Sequence, residues 1–181
     1  MALKIVVLLG TVRSDRKGSR AAAYVERGFR GRGHDVSRVD PVEIRLPLLG
    51  RMYKEFPKGT APPPLEELAV LYRSADAFVV VCGEYNHSIP PALSNLLDHF
   101  LEEYFWRPSA IVCYSTGQFG GVRAAMQLRA MLCELGMPSI PSLCRFRGLL
   151  PRSGKTAHRP MRRSTGDSPG LRLNSSGMRP R

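Results

Sequence analysis

Residues 3–9, 78–82 and 110–114 are three apolar runs, rich in β-branched side chains and almost free of polar interruption. This constrains the fold more than any other feature of the chain. A strand with one wet face alternates apolar and polar residues, whereas a strand covered on both faces does not. Such runs belong in a parallel sheet held between two layers of helix. Two weaker strand candidates lie at 35–40 and 139–143. The second follows Pro138 and contains Pro141, which suits the edge of a sheet rather than its centre.

Helical stripes separate the runs. Ala22, Val25 and Phe29 mark the first, which ends near Gly31 and Gly33. Pro62, Pro63 and Pro64 open the second, where proline is tolerated in the first turn, and Leu65, Leu68, Ala69 and Tyr72 follow at helical spacing. Leu93, Leu96, Leu97, Phe100, Leu101 and Tyr104 predict a third helix over 91–105. Ala124, Leu128, Met131, Leu132 and Leu135 predict a fourth, stopped by Gly136 and Pro138. Strand and helix in regular alternation imply right-handed crossovers, and hence a doubly wound, three-layer α/β domain. Ligands of such sheets bind beyond the carboxyl ends of the strands. The loops that follow the three strong strands are therefore the candidate site.

The first loop, residues 10–20, leads into a helix N-terminus, where free N–H groups and the helix dipole favour an anion. Thr11, Ser14 and Ser19 offer hydroxyls, and Arg13, Arg16, Lys17 and Arg20 offer charge. The loop is neither GxGxxG nor GxxxxGK[ST], so a single terminal phosphate suits it better than a dinucleotide or a nucleoside triphosphate. The plain alternative is a solvated loop with Ser19 as the helix cap. The second loop carries Gly83, Glu84, Tyr85, Asn86 and His87, with Pro90 and Pro91 stiffening its exit. Tyr85 and His87 can flank a planar ring, and Asn86 and backbone amides can bond its heteroatoms. The third loop, with Ser115, Thr116, Gly117, Gly120 and Gly121, permits close backbone approach to a ligand. Jointly the three loops describe a site for an aromatic ring with a phosphate tail, as in flavin mononucleotide (FMN).

Over residues 4–143 the chain resembles the NADPH-dependent FMN reductase family. The resemblance rests on Gly10-Thr11-Val12-Arg13 with Ser19, on residues 84–90 leading to Leu93, Asn95 and Asp98, and on residues 115–121 followed by Arg123 and Ala124. Gly83 stands where that family commonly has proline, Pro91 where it has glycine, and Ser19-Arg20 where it has a Ser/Asn pair. The resemblance implies a flavodoxin-like sheet of order 2-1-3-4-5 and non-covalent FMN. Thr11, Arg13 and Ser19 would hold the phosphate, Glu84, Tyr85 and Asn86 would line the isoalloxazine, and Ser115 with its glycines would lie beside the ring. Hydride would pass from NADPH or NADH to the flavin and on to a quinone, flavin, azo or metal-oxyanion acceptor, with no catalytic side chain required. A homodimer or homotetramer formed through the region of the third helix and Trp106 is also implied.

Other classes fare worse. Residues 151–181 hold eight Lys or Arg and one Asp, so they supply +7 of the net +12 and leave +5 for residues 1–150. Gly28-Phe29-Arg30-Gly31 matches the GXXG of a KH loop, but it closes a helical stripe, so nucleic acid is disfavoured. A flavodoxin-like electron carrier is the nearer alternative. No run approaches the ~20 apolar residues of a membrane span, and no signal peptide is visible. Cys82, Cys113, Cys133 and Cys144 are scattered without CxxC, and no HxxH occurs, so no metal site is expected and a cytoplasmic setting is. The segment 145–181 is basic and rich in Pro, Gly and Ser. Only five apolar residues fall within 151–181, too few to offset chain entropy, so disorder is expected there. The last helix of a doubly wound domain is therefore expected to be missing. With 22 Arg against five Lys in the whole chain, the tail reads as possible out-of-frame translation of a GC-rich gene.

Overall fold

The computed structural model describes residues 1–147. Five strands form one parallel sheet: β1 (Lys4–Leu9), β2 (Asp35–Val39), β3 (Ala77–Gly83), β4 (Ser109–Ser115) and β5 (Ser139–Arg147). Their order is β2-β1-β3-β4-β5, and every neighbouring pair is parallel. This is the flavodoxin-like winding, with the direction of winding reversing between β1 and β3. The helices are α1 (Gly18–Arg30), α2 (Pro41–Ile44), α3 (Pro63–Ser74), α4 (Pro91–Asp98) and α5 (Val122–Glu134).

The uninterrupted apolar runs are explained by burial on both faces. Val6 and Leu8 of β1 join Val80 of β3 under α3, α4 and α5, in a core that includes Leu65, Tyr72, Leu96 and Leu128. Ile5, Val7 and Leu9 point the other way, with Val79 and Val81, against Ala21, Ala22 and Val25 of α1. Among the described residues α1 is the helix on that second face, where Tyr24 meets Phe146 edge-on at 5.5 Å. The expected loss of a last helix, and the basic tail from residue 148 onward, lie outside the described residues.

β5 is indeed an edge strand, but it runs to Arg147 rather than stopping at Leu143, so residues 145–147 belong to the sheet. Its register against β4 shifts between Ser109 and Ile111, opposite the segment that contains Pro141. Proline lacks the N–H that the ladder would use. Arg129 of α5 braces this stretch, donating to Ser139 Oγ at 2.8 Å and to the carbonyls of Ile140 and Pro141.

The third predicted helix is cut short. α4 ends at Asp98, and only a 3₁₀ turn at Glu102–Tyr104 follows. The His99 ring bonds the Asn95 carbonyl at 2.7 Å, and Tyr53 N–H takes the His99 carbonyl at 2.8 Å. Both carbonyls are thereby engaged outside the helical ladder. Phe100 and Tyr104 remain fully buried in an aromatic cluster with Tyr72 and Phe78, so their burial outlasts the helix. The short α2 was not expected: Asp40 caps it, accepting from Val42 N–H at 3.0 Å.

Candidate active site

The carboxyl ends of β1, β3 and β4 open into one cleft of about 440 Å³, a size suited to a small cofactor. Of the sequence-predicted residues, Thr11, Arg13, Lys17, Gly83, Glu84, Tyr85, Asn86, Ser115 and Thr116 line it. Ser19, Arg20, His87, Gly117, Gly120 and Gly121 do not line it, although they sit on the same three loops. Asp15, Arg16 and Tyr114 also line it and complete its wall.

The first loop is electrostatically sorted. Arg13 pairs with Asp15 at 3.3 Å on the surface, and Arg16 pairs with the buried Asp40 at the end of β2. Lys17 has no carboxylate partner among the described residues. It also occupies the N-cap of α1, which has no side-chain cap and no acidic residue in its first turn. Ser19 lies within that turn and does not cap it. An uncapped helix N-terminus beside Lys17, with Arg20 likewise free of a carboxylate among the described residues, presents donors and positive potential to an anion.

The second loop is a tight turn. Tyr85 N–H donates to Ser88 O at 3.0 Å and Ser88 N–H to Tyr85 O at 2.8 Å, while Asn86 and His87 have φ of 49° and 64°. Two consecutive positive φ values define the type I′ geometry, in which Asn suits the first central position and Gly the second. His87 at the second position costs roughly 1–3 kcal/mol, and such strain concentrates at functional sites. Gln127 of α5 holds the turn in place, donating to His87 O at 3.0 Å and accepting from Ser88 Oγ at 2.6 Å. Tyr85 also reaches back to the first loop, its hydroxyl 2.6 Å from Thr11 Oγ1.

Glu84 does not offer its carboxylate to the cleft. It takes two hydrogen bonds from the Arg123 guanidinium, at 2.6 and 3.0 Å, and one from the Arg123 N–H at 3.2 Å. Burial would raise its pKa, but the bonds from Arg123 and the N–H groups at the start of α5 outweigh it and hold the carboxyl below its ordinary value. The third loop depends on Gly121, whose φ is 84° and whose absent Cβ would lie 2.8 Å from the Tyr114 backbone. No other residue type fits that contact without displacing β4.

The arrangement fits FMN in chemical terms: a basic loop and an open helix end for the phosphate, and a tight turn and backbone amides for a ring. The chain belongs to the NADPH-dependent FMN reductase family, whose model matches residues 3–146. It is thus a flavin-dependent oxidoreductase, with FMN as cofactor and a nicotinamide nucleotide as reductant. It is 34% identical to an NAD(P)H-dependent FMN reductase of Schizosaccharomyces pombe, over 77% of this chain and 72% of that protein. It is 27% identical to an NADPH azoreductase of a Bacillus species, over 84% and 82%. The flavoenzyme NAD(P)H:(acceptor) oxidoreductase of Paracoccus denitrificans superposes with a TM-score of 0.66 at 20% identity over 79% of each chain, a likeness of fold.

Three contributors escaped the sequence reading. Arg16 was counted only as loop charge, and its partner Asp40 lies 24 residues away. Gln127 is not singled out by the sequence, and its partners His87 and Ser88 lie 40 and 39 residues away. Tyr114 ended an apolar strand and passed for core. The small residues Gly18 and Gly83 were the available signal for it, since both leave room for a large neighbour.

Proposed function

We propose that this cleft binds FMN with its phosphate at the N-terminus of α1 and its ring between the turn at 85–88 and the third loop, and that the enzyme reduces a small oxidised acceptor at the expense of NADPH or NADH. The observation that carries this reading is the opening of the uncapped α1 N-terminus, with Lys17, into the same cleft as Tyr85, Asn86, Ser115 and Thr116. Thr11, Arg13, Lys17 and Ser19 bind the phosphate, and Arg20 adds charge at the helix start. Gly83, the Asn86 and His87 peptides, Ser115, Thr116 and the glycines at 117, 120 and 121 border the ring, where fixed amide dipoles stabilise added negative charge. FMN supplies the two-electron chemistry. No side chain of this site is required as acid or base, and Glu84 is already neutralised by Arg123. Quinones, free flavin, azo compounds and metal oxyanions are the acceptor classes of this reading, supported by relatives named for FMN and azo substrates.

The proposal extends to assembly and setting. Trp106 is 87% exposed and held at φ 63°, with its N–H on Gly136 O at 2.9 Å. A large aromatic residue fixed in that position suits burial against a second copy, giving a homodimer or homotetramer. No helix among the described residues is long and apolar enough to cross a membrane, and the proposed setting is the cytoplasm.

The decisive experiment is anaerobic. Purified protein loaded with FMN is mixed with NADPH or NADH and the flavin absorbance followed, then acceptors are added. Rapid bleaching by a nicotinamide and return of colour on acceptor addition support the reading. Bound flavin that only dithionite bleaches indicates an electron carrier instead. Failure to take up FMN overturns the proposal.

A further inference from the structure

Tyr114 is one of the polar residues lining the cleft, with Asp15 and Arg16, to which the binding roles above give no part. Its ring is buried, 8% exposed, on the α1 face of the sheet. Its hydroxyl lies between two backbone segments that bound the cleft. A Cβ on Gly18 would sit 2.5 Å from Tyr114 Oη, and one on Gly83 would sit 2.8 Å from it. Both positions are therefore free of side chains because the phenol occupies that space. Gly83, where the family commonly has proline, is matched to this tyrosine. The surroundings push the phenol pKa up to about 12, chiefly through burial and the nearby Tyr85, with Thr11 and the Gly18 N–H pulling weakly the other way. It is thus a neutral O–H donor throughout the working pH range. Among the described residues no hydrogen bond of ordinary length and angle satisfies this hydroxyl, whereas its neighbours Thr11 and Tyr85 bond each other.

The fully buried hydroxyls without a partner among the described residues are those of Tyr72 and Tyr104, whereas that of Tyr114 borders the cleft, where solvent or a bound ligand can satisfy it. We propose that Tyr114 is a ligand-binding residue whose hydroxyl donates to the ribityl-phosphate arm of FMN, and that Gly18 and Gly83 exist to seat it. This rests on the assignment of the cleft to FMN. Its location supports the arm rather than the ring. The hydroxyl stands between the start of α1, where the proposed function puts the phosphate, and Gly83 at the border of the ring, the span a ribityl arm would cross. Tyr114 therefore helps the site choose a flavin with a polar tail over a bare isoalloxazine.

The test measures FMN and lumiflavin affinity by quenching of flavin fluorescence, for the natural chain and for Tyr114→Phe. Tyr114→Phe keeps the ring and its packing, and the melting temperature checks that the fold survives. The expected result is a loss of roughly 2- to 10-fold in FMN affinity, the equivalent of one neutral hydrogen bond. Lumiflavin, which has the ring and no ribityl arm, is expected to bind both proteins equally. A second variant, Gly83→Ala, is expected to weaken FMN binding in the natural background and to lose less when combined with Tyr114→Leu, which vacates the space. Equal FMN affinity for the natural chain and Tyr114→Phe overturns the inference, as does an equal loss for lumiflavin. If the natural chain itself takes up no FMN, it is the assignment of the cleft that fails.

Discussion

The two ends of the sheet differ in how far the chain satisfies its own polar groups. At the amino ends of the strands several charged groups are closed on partners. Arg107 donates to the carbonyls of Ala75 and Arg73 at 2.8 and 2.7 Å, the Asp76 carboxylate accepts from Lys4 N–H at 2.7 Å, and the buried Glu103 pairs with Arg73 at 2.7 Å. At the carboxyl ends the N-terminus of α1 is uncapped, Lys17 lacks a carboxylate, and two peptides are held at positive φ. One end is finished by the chain itself. The other is left with donors and strain that a ligand can use, as expected where stability is exchanged for binding. A parallel sheet favours this division, because its crossovers place all the helix N-termini that follow strands at the same end.

If the ends are separable, damage at the closed end lowers stability and spares binding. Phe100→Ala removes a fully buried ring that meets Tyr72 edge-to-face, with centroids 4.9 Å apart. It is expected to cost about 3–5 kcal/mol, which lowers the melting temperature by roughly 10 °C, with FMN affinity of the folded fraction unchanged. A fall in affinity at full folding would break the comparison. Gly121→Ala strikes the open end. The positive φ and the clash with the Tyr114 backbone are expected to cost roughly 1–3 kcal/mol, and FMN affinity should fall more steeply than for any closed-end variant of equal stability. Calorimetry and flavin titration on the same samples check both quantities.

Lys17→Gln is a finer probe. FMN affinity should drop roughly 10-fold while riboflavin affinity stays level, and the salt dependence of FMN binding should flatten. Equal losses for both flavins would move the phosphate away from α1. The smallest effect is expected for Glu84→Gln. Because the folded state holds this carboxyl below its unfolded value, its contribution is complete above the unfolded pKa of about 4.3 and is lost as pH falls through the folded pKa. Thermal melts from pH 6 down to pH 3 should show a shallower acid decline for the variant. Superposable curves would mean that the Glu84–Arg123 pair adds nothing to stability.

How much was legible in the chain depended on range. The strands were plain because burial on both faces writes itself into consecutive residues, as in β1, where Val6 and Val7 face opposite layers. The helix over 91–105 misled because Phe100 and Tyr104 are buried whether or not the backbone stays helical. What ended α4 was a bond from a distant loop, Tyr53 N–H to His99 O. The three loops singled out in the chain meet in one cleft, whereas nothing local shows that Arg123 pairs with the Glu84 carboxylate.

Periodicity, proline placement and the residue types at strand ends were enough to establish a doubly wound parallel sheet, its edge strand and the three loops that follow its strong strands. These are properties of neighbours in the chain, set by pleat and helix pitch. Which groups meet was settled by folding alone: Thr11 with Tyr85 across 74 residues, Arg16 with Asp40, and a tyrosine seated between two glycines from different loops. Each of these pairings depends on distances of a few ångströms between separate elements, and no short-range pattern encodes such distances.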